Sequence, residues 1–111
     1  ETGPYKIKIK LLEWKLLLRV IDFFDDSITD LKISISSVRR IIRDYQIVCD
    51  NYVEAIKTAP LKKIEAIDIG RRTIHDEGAE ILLEAFKEKV ELDMDTARRL
   101  FTLVSIISIK I

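Results

Sequence analysis

The fold is decided by residues 30–42, which read Asp30-Leu31-Lys32-Ile33-Ser34-Ile35-Ser36-Ser37-Val38-Arg39-Arg40-Ile41-Ile42. From Asp30 to Ile35, polar and apolar residues alternate, as is typical of a half-buried strand. From Val38 onward, apolar residues recur at steps of three and four, as is typical of a helix. The stretch therefore predicts a strand followed directly by a helix, with Ser36 or Ser37 as the helix cap.

The residues before this stretch predict two further strands. Residues 6–10 alternate lysine and isoleucine, and residues 15–21 are rich in leucine and valine, as expected of a central strand. Asp25-Asp26-Ser27 is suitable for the turn before the third strand. The first turn falls at Glu13-Trp14, which is poor turn chemistry. Together these segments predict an antiparallel β-meander of about three strands.

A single long coiled-coil helix competes with the meander as an interpretation. Alternating steps of three and four from Trp14 to Ile56 meet an apolar residue every time. However, residues 25–37 are dense in serine, aspartate and β-branched side chains, which favour turns and strands over helix interiors. We therefore prefer strands before helices.

Three helices are predicted after the strands. Pro60 ends the first helix. The second contains Gly70 and Gly78, each of which weakens a helix by about 1 kcal/mol relative to alanine. The third opens at Asp93 or Asp95, where a carboxylate suits the positive end of the helix dipole. The predicted fold class is α+β.

Length and composition set the domain organisation. The chain has 111 residues, of which 48% are hydrophobic and 34% charged, which predicts one folded domain over residues 1–111. Within it we expect the β-meander at residues 1–35 and a three-helix bundle at residues 36–111. The formal net charge is zero, so no sequence-wide attraction to nucleic acid or membrane is indicated. No apolar run approaches the roughly 20 residues of a membrane helix.

Cysteine and histidine are scarce. With Cys49 alone, no intrachain disulfide forms, and a reducing compartment is expected. Cys49 and His75 are the only side chains of their kinds, short of the roughly four ligands of a structural zinc site. We predict no cofactor and no zinc, while a carboxylate site for magnesium stays open. On the helical pattern, Cys49 is expected to be a buried small hydrophobe.

Four sequence motifs in the second half of the chain resemble those of a known protein family. They are Val38-Arg39-Arg40-Ile41-Ile42-Arg43-Asp44-Tyr45, Ile64-Glu65-Ala66-Ile67-Asp68-Ile69-Gly70-Arg71-Arg72, His75-Asp76-Glu77-Gly78 and Asp95-Thr96-Ala97-Arg98-Arg99-Leu100-Phe101-Thr102-Leu103. In this order and spacing, the chain resembles the uncharacterised protein family (UPF) 0262 of alpha-proteobacteria, from Gly3-Pro4-Tyr5 to Val104. The resemblance implies a short meander followed by three helices in a cytoplasmic bacterial protein, and it implies no activity. Family members usually have a segment before the Gly-Pro-Tyr motif, so we expect this chain to lack a native N-terminal segment.

The candidate binding residues are mostly arginines. They are the pairs Arg39-Arg40, Arg71-Arg72 and Arg98-Arg99, together with His75 and Glu77. Arginine binds carboxylate or phosphate through two parallel hydrogen bonds, so three converging pairs would form an anion site. The competing interpretation is that most are solvated charges balanced by nearby acids.

Arg71 stands out because it interrupts an apolar stripe on the second helix. A charge there must be paired, for which Asp44 and Asp68 are the candidates, or must bind a ligand. His75 follows one turn later, and Gly78 leaves room for another backbone or a ligand. His75 and Glu77 are two residues apart and point in different directions, so we expect a capping or a helix–helix hydrogen bond from His75 and assign no catalytic residue.

Three functions remain open. The first is a protein-interaction or assembly module with a protein partner or a second copy, because a meander leaves open edges and the apolar residues 104–111 must be covered. The alternative is an anion, nucleotide or RNA binder that uses the arginine pairs. The third is an enzyme, which would need His75, Arg71 and a carboxylate in one depression.

Overall fold

The computed structural model describes residues 6–21 and 27–108. A three-stranded antiparallel sheet, ordered β1-β2-β3, comes first, and three helices follow. The elements are β1 (Lys6–Leu12), β2 (Lys15–Ile21), β3 (Ser27–Ser34), a 3-10 turn (Ser36–Val38), α1 (Arg39–Thr58), α2 (Leu61–Phe86) and α3 (Met94–Ser108). The predicted α+β class, a meander and then helices, is confirmed. Asp25 and Asp26, which were predicted to form the second turn, lie outside the described residues.

The sheet has one apolar and one polar face, as the alternation predicts. Leu16 of β2 pairs with Leu11 on one side and with Ile33 on the other, and all three project toward the helices. The following residue of β2, Leu17, projects from the opposite, solvent-facing side of the sheet, where Lys10 and Lys32 flank it. Period-two patterning thus decides which side chains enter the core.

The first turn lies where the sequence offers poor turn chemistry. Glu13 and Trp14 both adopt positive φ, at 52° and 61°. Two such residues characterise the type I′ turn, which matches the twist of a hairpin but favours Asn-Gly. The Trp14 carbonyl accepts a hydrogen bond of 2.8 Å from the Ile35 amide, and the Trp14 ring packs against the core. Tertiary contacts therefore hold the turn that local propensity disfavours.

The helix boundaries confirm two of the three predicted start and stop signals. Pro60 separates α1 from α2, and Asp93 caps α3 by accepting a 2.7 Å hydrogen bond from the Thr96 amide. The predicted cap at Ser36 or Ser37 is wrong. Both serines lie inside the 3-10 turn, and no side-chain hydrogen bond caps this turn or α1. The 3-10 turn follows β3 so closely that Ile35 and Val38 hold the two cap positions instead.

The core forms where the turn end of the sheet meets the helices. Its fully buried large side chains are Leu16, Ile35, Val38, Ile42, Leu82, Phe86, Phe101 and Val104. Gly78 of α2 lies against the ring of Phe101, so the room predicted beside Gly78 is taken by α3. Of the C-terminal apolar segment, Val104 is buried, Ile106 is exposed and residues 109–111 lie outside the described part.

The molecule is elongated. Its extents are 52 × 27 × 26 Å, and its radius of gyration of 16.3 Å exceeds the roughly 13 Å of a compact chain of this size. The cause is a difference in helix length. α2 has 26 residues, about 39 Å, whereas α3 has 15, about 22 Å. The described part of α3 therefore covers only part of the α1–α2 hairpin.

Candidate functional site

Arg71 is fixed by three neighbours. Its Nε and Nη2 donate hydrogen bonds of 3.0 and 2.6 Å to Oδ1 of Asp68. Its guanidinium lies 5.4 Å from the centre of the Tyr52 ring, and the Tyr45 hydroxyl is a further partner. The hydrogen bond to Asp68 raises the pKa of Arg71 further above its usual value. The pairing expected for a charge on an apolar stripe is therefore observed, with Asp68 rather than Asp44.

The other arginines of this region are also paired. Arg72 Nη2 lies 3.0 Å from Oδ2 of Asp68, so one carboxylate serves both members of the pair. Arg98 Nε donates to Asp76 at 3.0 Å and Nη1 to Asp95 at 3.1 Å. Three guanidinium groups thus face three carboxylates, and the cluster is electrically neutral.

His75 connects α2 to α3, which is the helix–helix alternative of the two predicted roles. Its Nε2 lies 2.6 Å from Oγ1 of Thr102, while the Thr102 hydroxyl donates to the carbonyl of Arg98. The Thr102 hydroxyl has one hydrogen, so when it donates to the Arg98 carbonyl the His75 Nε2 is the donor of this contact, and Nδ1 is then the nitrogen that titrates. The ring stands edge-on to Tyr45 and Phe101, with centroids 5.3 and 5.2 Å away.

The environment of His75 favours the neutral ring. Burial is the largest effect and lowers the pKa of His75 below its usual value. Arg71 and Arg98 lower it further, while Asp76 opposes them. Burial also raises the pKa of the neighbouring Tyr45 hydroxyl, so both groups are uncharged near pH 7.

These side chains line a shallow depression of about 510 Å³. Its lining residues are Tyr45, Arg71, Arg72, His75, Asp76, Arg98 and Thr102. The depression unites His75, Arg71 and a carboxylate, the combination that an enzyme would need. However, Asp76 is bonded to Arg98, and Nε2 of His75 is engaged with the hydroxyl of Thr102. The arrangement fixes three helices together and offers a polar ligand few free donors.

The remaining predicted site residues lie elsewhere. Arg39 and Arg40 line a separate depression with Ser36, Arg43 and Asp44. Glu77 lies with Glu80 and Glu84 beside Ile41 and Ile81. Arg99 is exposed on α3. The structure therefore brings together Arg71, Arg72, Arg98 and His75, and it does not bring the three pairs into one anion site.

Several participants were not singled out by the sequence. Tyr45 and Thr102 complete the network around His75, and Asp76 holds Arg98. The only signal for Thr102 is its position four residues after Arg98, which places both on one face of α3. Cys49 is partly rather than fully buried, because it lies where the core thins along α1.

A second feature is the outer end of the α1–α2 hairpin, residues 50–70, named here the hairpin tip. Along the apolar stripe of α1, Ile42 is 2% exposed, whereas Ile56 is 53% exposed. Fourteen residues, or about four turns, separate Ile42 from Ile56, so both face nearly the same side. The described part of α3 reaches Gln46, which donates to Ser108 at 3.2 Å. Ile56 lies ten residues, roughly 15 Å, beyond that contact.

The sequence comparisons identify the family. The sequence profile of the uncharacterised protein family UPF0262 matches residues 1–110. The chain belongs to UPF0262. Members from Brucella canis and Brucella melitensis are 44% identical to it over 105 residues, and a member from Chelativorans is 43% identical.

The matches cover 95% of this chain but only 66% of the Brucella members and 65% of the Chelativorans member. The chain thus spans about two thirds of the length of these UPF0262 relatives. No solved structure matches it. In the part of the chain that the structure describes, no helix is long and apolar enough to cross a membrane, and no group of three or more histidine, cysteine or acidic residues could hold a metal ion.

Proposed function

We propose that this chain is an assembly module that pairs with a second copy through the hairpin tip. The observation that carries the proposal is the loss of burial along the apolar stripe of α1, which is 2% exposed at Ile42 and 53% exposed at Ile56. The stripe continues in sequence beyond the residues that α3 covers. An apolar stripe of this kind is stable in water when another surface covers it.

Neighbouring side chains extend the apolar surface. Val53 and Leu61 are 54% and 69% exposed, and Ile64 and Ile67 of α2 are partly buried. The distal hairpin therefore presents aliphatic side chains from both helices. Two such hairpins packed together would bury them as the core of a four-helix arrangement.

The charges of the hairpin tip are compatible with a second copy as the occupant. Residues 50–70 hold three lysines, Lys57, Lys62 and Lys63, and four acids, Asp50, Glu54, Glu65 and Asp68. Asp50 and Glu54 lie six and two residues before Ile56 and therefore on the side of α1 away from the stripe. Two tips of nearly zero net charge can pack stripe to stripe in a twofold interface without repulsion between like charges.

The test measures mass against concentration by sedimentation equilibrium. We expect the wild type to approach the mass of a dimer as its concentration rises, and Ile56→Asp to remain a monomer. Ile47→Asp is the matched control, because Ile47 is also 53% exposed but lies nine residues away, on the opposite side of α1. A wild type that stays monomeric, or equal effects of both variants, would refute the proposal.

A second candidate is a small anion bound in the depression around His75, favoured by the convergence of Arg71, Arg72 and Arg98. The three paired carboxylates oppose it, because an anion would have to displace Asp68 or Asp76. Thermal unfolding with inorganic phosphate tests this candidate. A stabilisation of the wild type that Arg98→Gln abolishes would support it, and no stabilisation would end it.

A further inference from the structure

The solvent face of the sheet is basic, although the whole chain has no net charge. Pairing places Lys10 and Lys32 on either side of Leu17, and Lys8 and Asp30 on either side of Arg19. Lys15 follows in the next row, opposite Ser34. These lysines and Arg19 are exposed on one face because cross-strand partners project to the same side.

This face is concave. A depression of about 810 Å³ runs across the three strands and is lined by the charged residues Lys8, Lys10, Arg19, Asp30 and Lys32 and by the aliphatic residues Ile9, Leu17, Leu18 and Leu31. Arg19 pairs with Asp30 at 2.9 Å. Along the paired rows from Lys8 to Lys15, the four lysines and Arg19 share this face with a single carboxylate, that of Asp30. The groove therefore carries an excess of positive charge.

The positive charge continues onto the start of α1. Arg39, Arg40 and Arg43 line an adjoining depression with Ser36, whose hydroxyl lies 3.5 Å from that of Ser34 on the sheet. The Arg39 guanidinium lies 5.7 Å from the ring of Trp14, at the turn of the sheet. We name the sheet face and this helix start the basic surface. Among the residues whose side chains the structure describes, it holds eight cations, Lys8, Lys10, Lys15, Arg19, Lys32, Arg39, Arg40 and Arg43, and three acids, Glu13, Asp30 and Asp44.

The composition of the basic surface indicates its partner. Protein interfaces are depleted in lysine at their centres and use aromatic anchors, whereas lysine-rich surfaces suit phosphates. No aromatic side chain projects from the described rows of the sheet face, so the stacking platform of single-strand binders is missing there. A groove also fits a convex rod better than a planar bilayer. We infer that the basic surface binds double-stranded nucleic acid through its phosphate backbone, without reading its sequence.

Fluorescence anisotropy with short labelled DNA and RNA duplexes tests this inference between about 50 and 200 mM KCl. The logarithm of the affinity should fall linearly with the logarithm of the salt concentration. The double variant Lys10→Gln/Lys32→Gln should bind at least about tenfold more weakly at low salt, with a salt slope smaller by about two. Lys87→Gln/Lys89→Gln is the matched control. It removes the same charge from the segment after α2, where Lys87 lies with Glu84 and Glu91, and its binding should match that of the wild type.

Intrinsic fluorescence supplies a second readout. Trp14 is the only tryptophan, and its ring faces Arg39. Phosphate that draws Arg39 away should change the Trp14 emission in proportion to the bound duplex. Absence of duplex binding at about 50 mM KCl, an equal loss in the control variant, or binding to phosphatidylserine vesicles or polyglutamate but not to duplexes would overturn the inference.

Discussion

The ring of Phe101 occupies the space beside Gly78, so that a Cβ at position 78 would overlap three of its carbon atoms. Phe101 is 0% exposed and belongs to the core, and its ring cannot move outward. This contact sets the distance between α2 and α3. It therefore also sets the position of His75 relative to Thr102.

Alanine at the two helical glycines should have opposite effects. Gly78→Ala overpacks the α2–α3 contact, and we expect a loss of about 2 kcal/mol of unfolding free energy. A Cβ added at Gly70 would have no neighbouring atom within 4 Å, so Gly70→Ala should gain about 1 kcal/mol from helix propensity. Urea unfolding measures both, and equal effects at the two sites would contradict the packing described.

A substitution in the first hairpin turn should increase the stability of the protein. Glu13 has a φ of 52°, a conformation that costs most residues about 1 kcal/mol and asparagine less. We expect Glu13→Asn to stabilise the protein by up to about 1 kcal/mol in urea unfolding. Trp14→Gly relieves the same strain but removes a ring that packs on the core, so it should destabilise the protein. Stabilisation by Trp14→Gly would show that the ring contributes little.

Substitution by lysine should change the free energy of unfolding differently at the two arginines bonded to Asp68. Arg71 donates twice to Asp68 and lies over Tyr52, and lysine reproduces neither geometry. We expect Arg71→Lys to cost about 1–2 kcal/mol. The Arg72 side chain is 72% exposed, so Arg72→Lys should change the unfolding free energy by less than about 0.5 kcal/mol. Equal costs at the two positions would contradict the assigned roles.

Stability should depend on the protonation of His75. Its folded-state pKa is lowered, mainly by burial and then by Arg71 and Arg98 against Asp76, with the Tyr45 ring beside it. The unfolded chain therefore binds a proton first as pH falls. The contribution of the neutral His75 ring to the free energy of unfolding is fully present above the pKa of His75 in the unfolded chain, near 6.5. It is lost as pH falls through the lower pKa of His75 in the folded protein.

Urea unfolding at several pH values between about 7.5 and 5.5 measures this dependence. His75→Gln keeps a donor for Thr102 but does not titrate, so its unfolding free energy should fall less over the same range. Identical pH dependence in both proteins would place the titrating group elsewhere.

Much of the fold follows from local pattern. Alternation at residues 30–35 and helical spacing after Val38 gave the right elements, because burial on one side imposes those periods. The turn at Glu13-Trp14 looked unsuitable for a local reason, and it is held by the hydrogen bond between Trp14 and Ile35. Such long-range contacts leave no mark in a local window of sequence.

The candidate site was only partly predictable. An arginine on an apolar stripe correctly required a partner, which is Asp68 one turn away. Whether arginine pairs on different helices meet depends on how each helix is rotated about its axis and on the angle at which the helices cross. An Arg-Arg pair in the sequence carries no information about either. The basic surface was hidden for another reason. Its charges come from three strands and one helix, and the acids elsewhere cancel them in the net charge.

The measurement that tests the assembly proposal most directly is the distance between spin labels on two copies of the chain. A single label at Ile56→Cys, in a Cys49→Ala background, lies on the stripe assigned to the interface, and a label at Ile47→Cys lies on the opposite side of α1. Pulsed dipolar spectroscopy should give a short distance between chains for position 56 and a longer one for position 47. No dipolar coupling at either position, or a shorter distance at position 47, would contradict pairing through the hairpin tip.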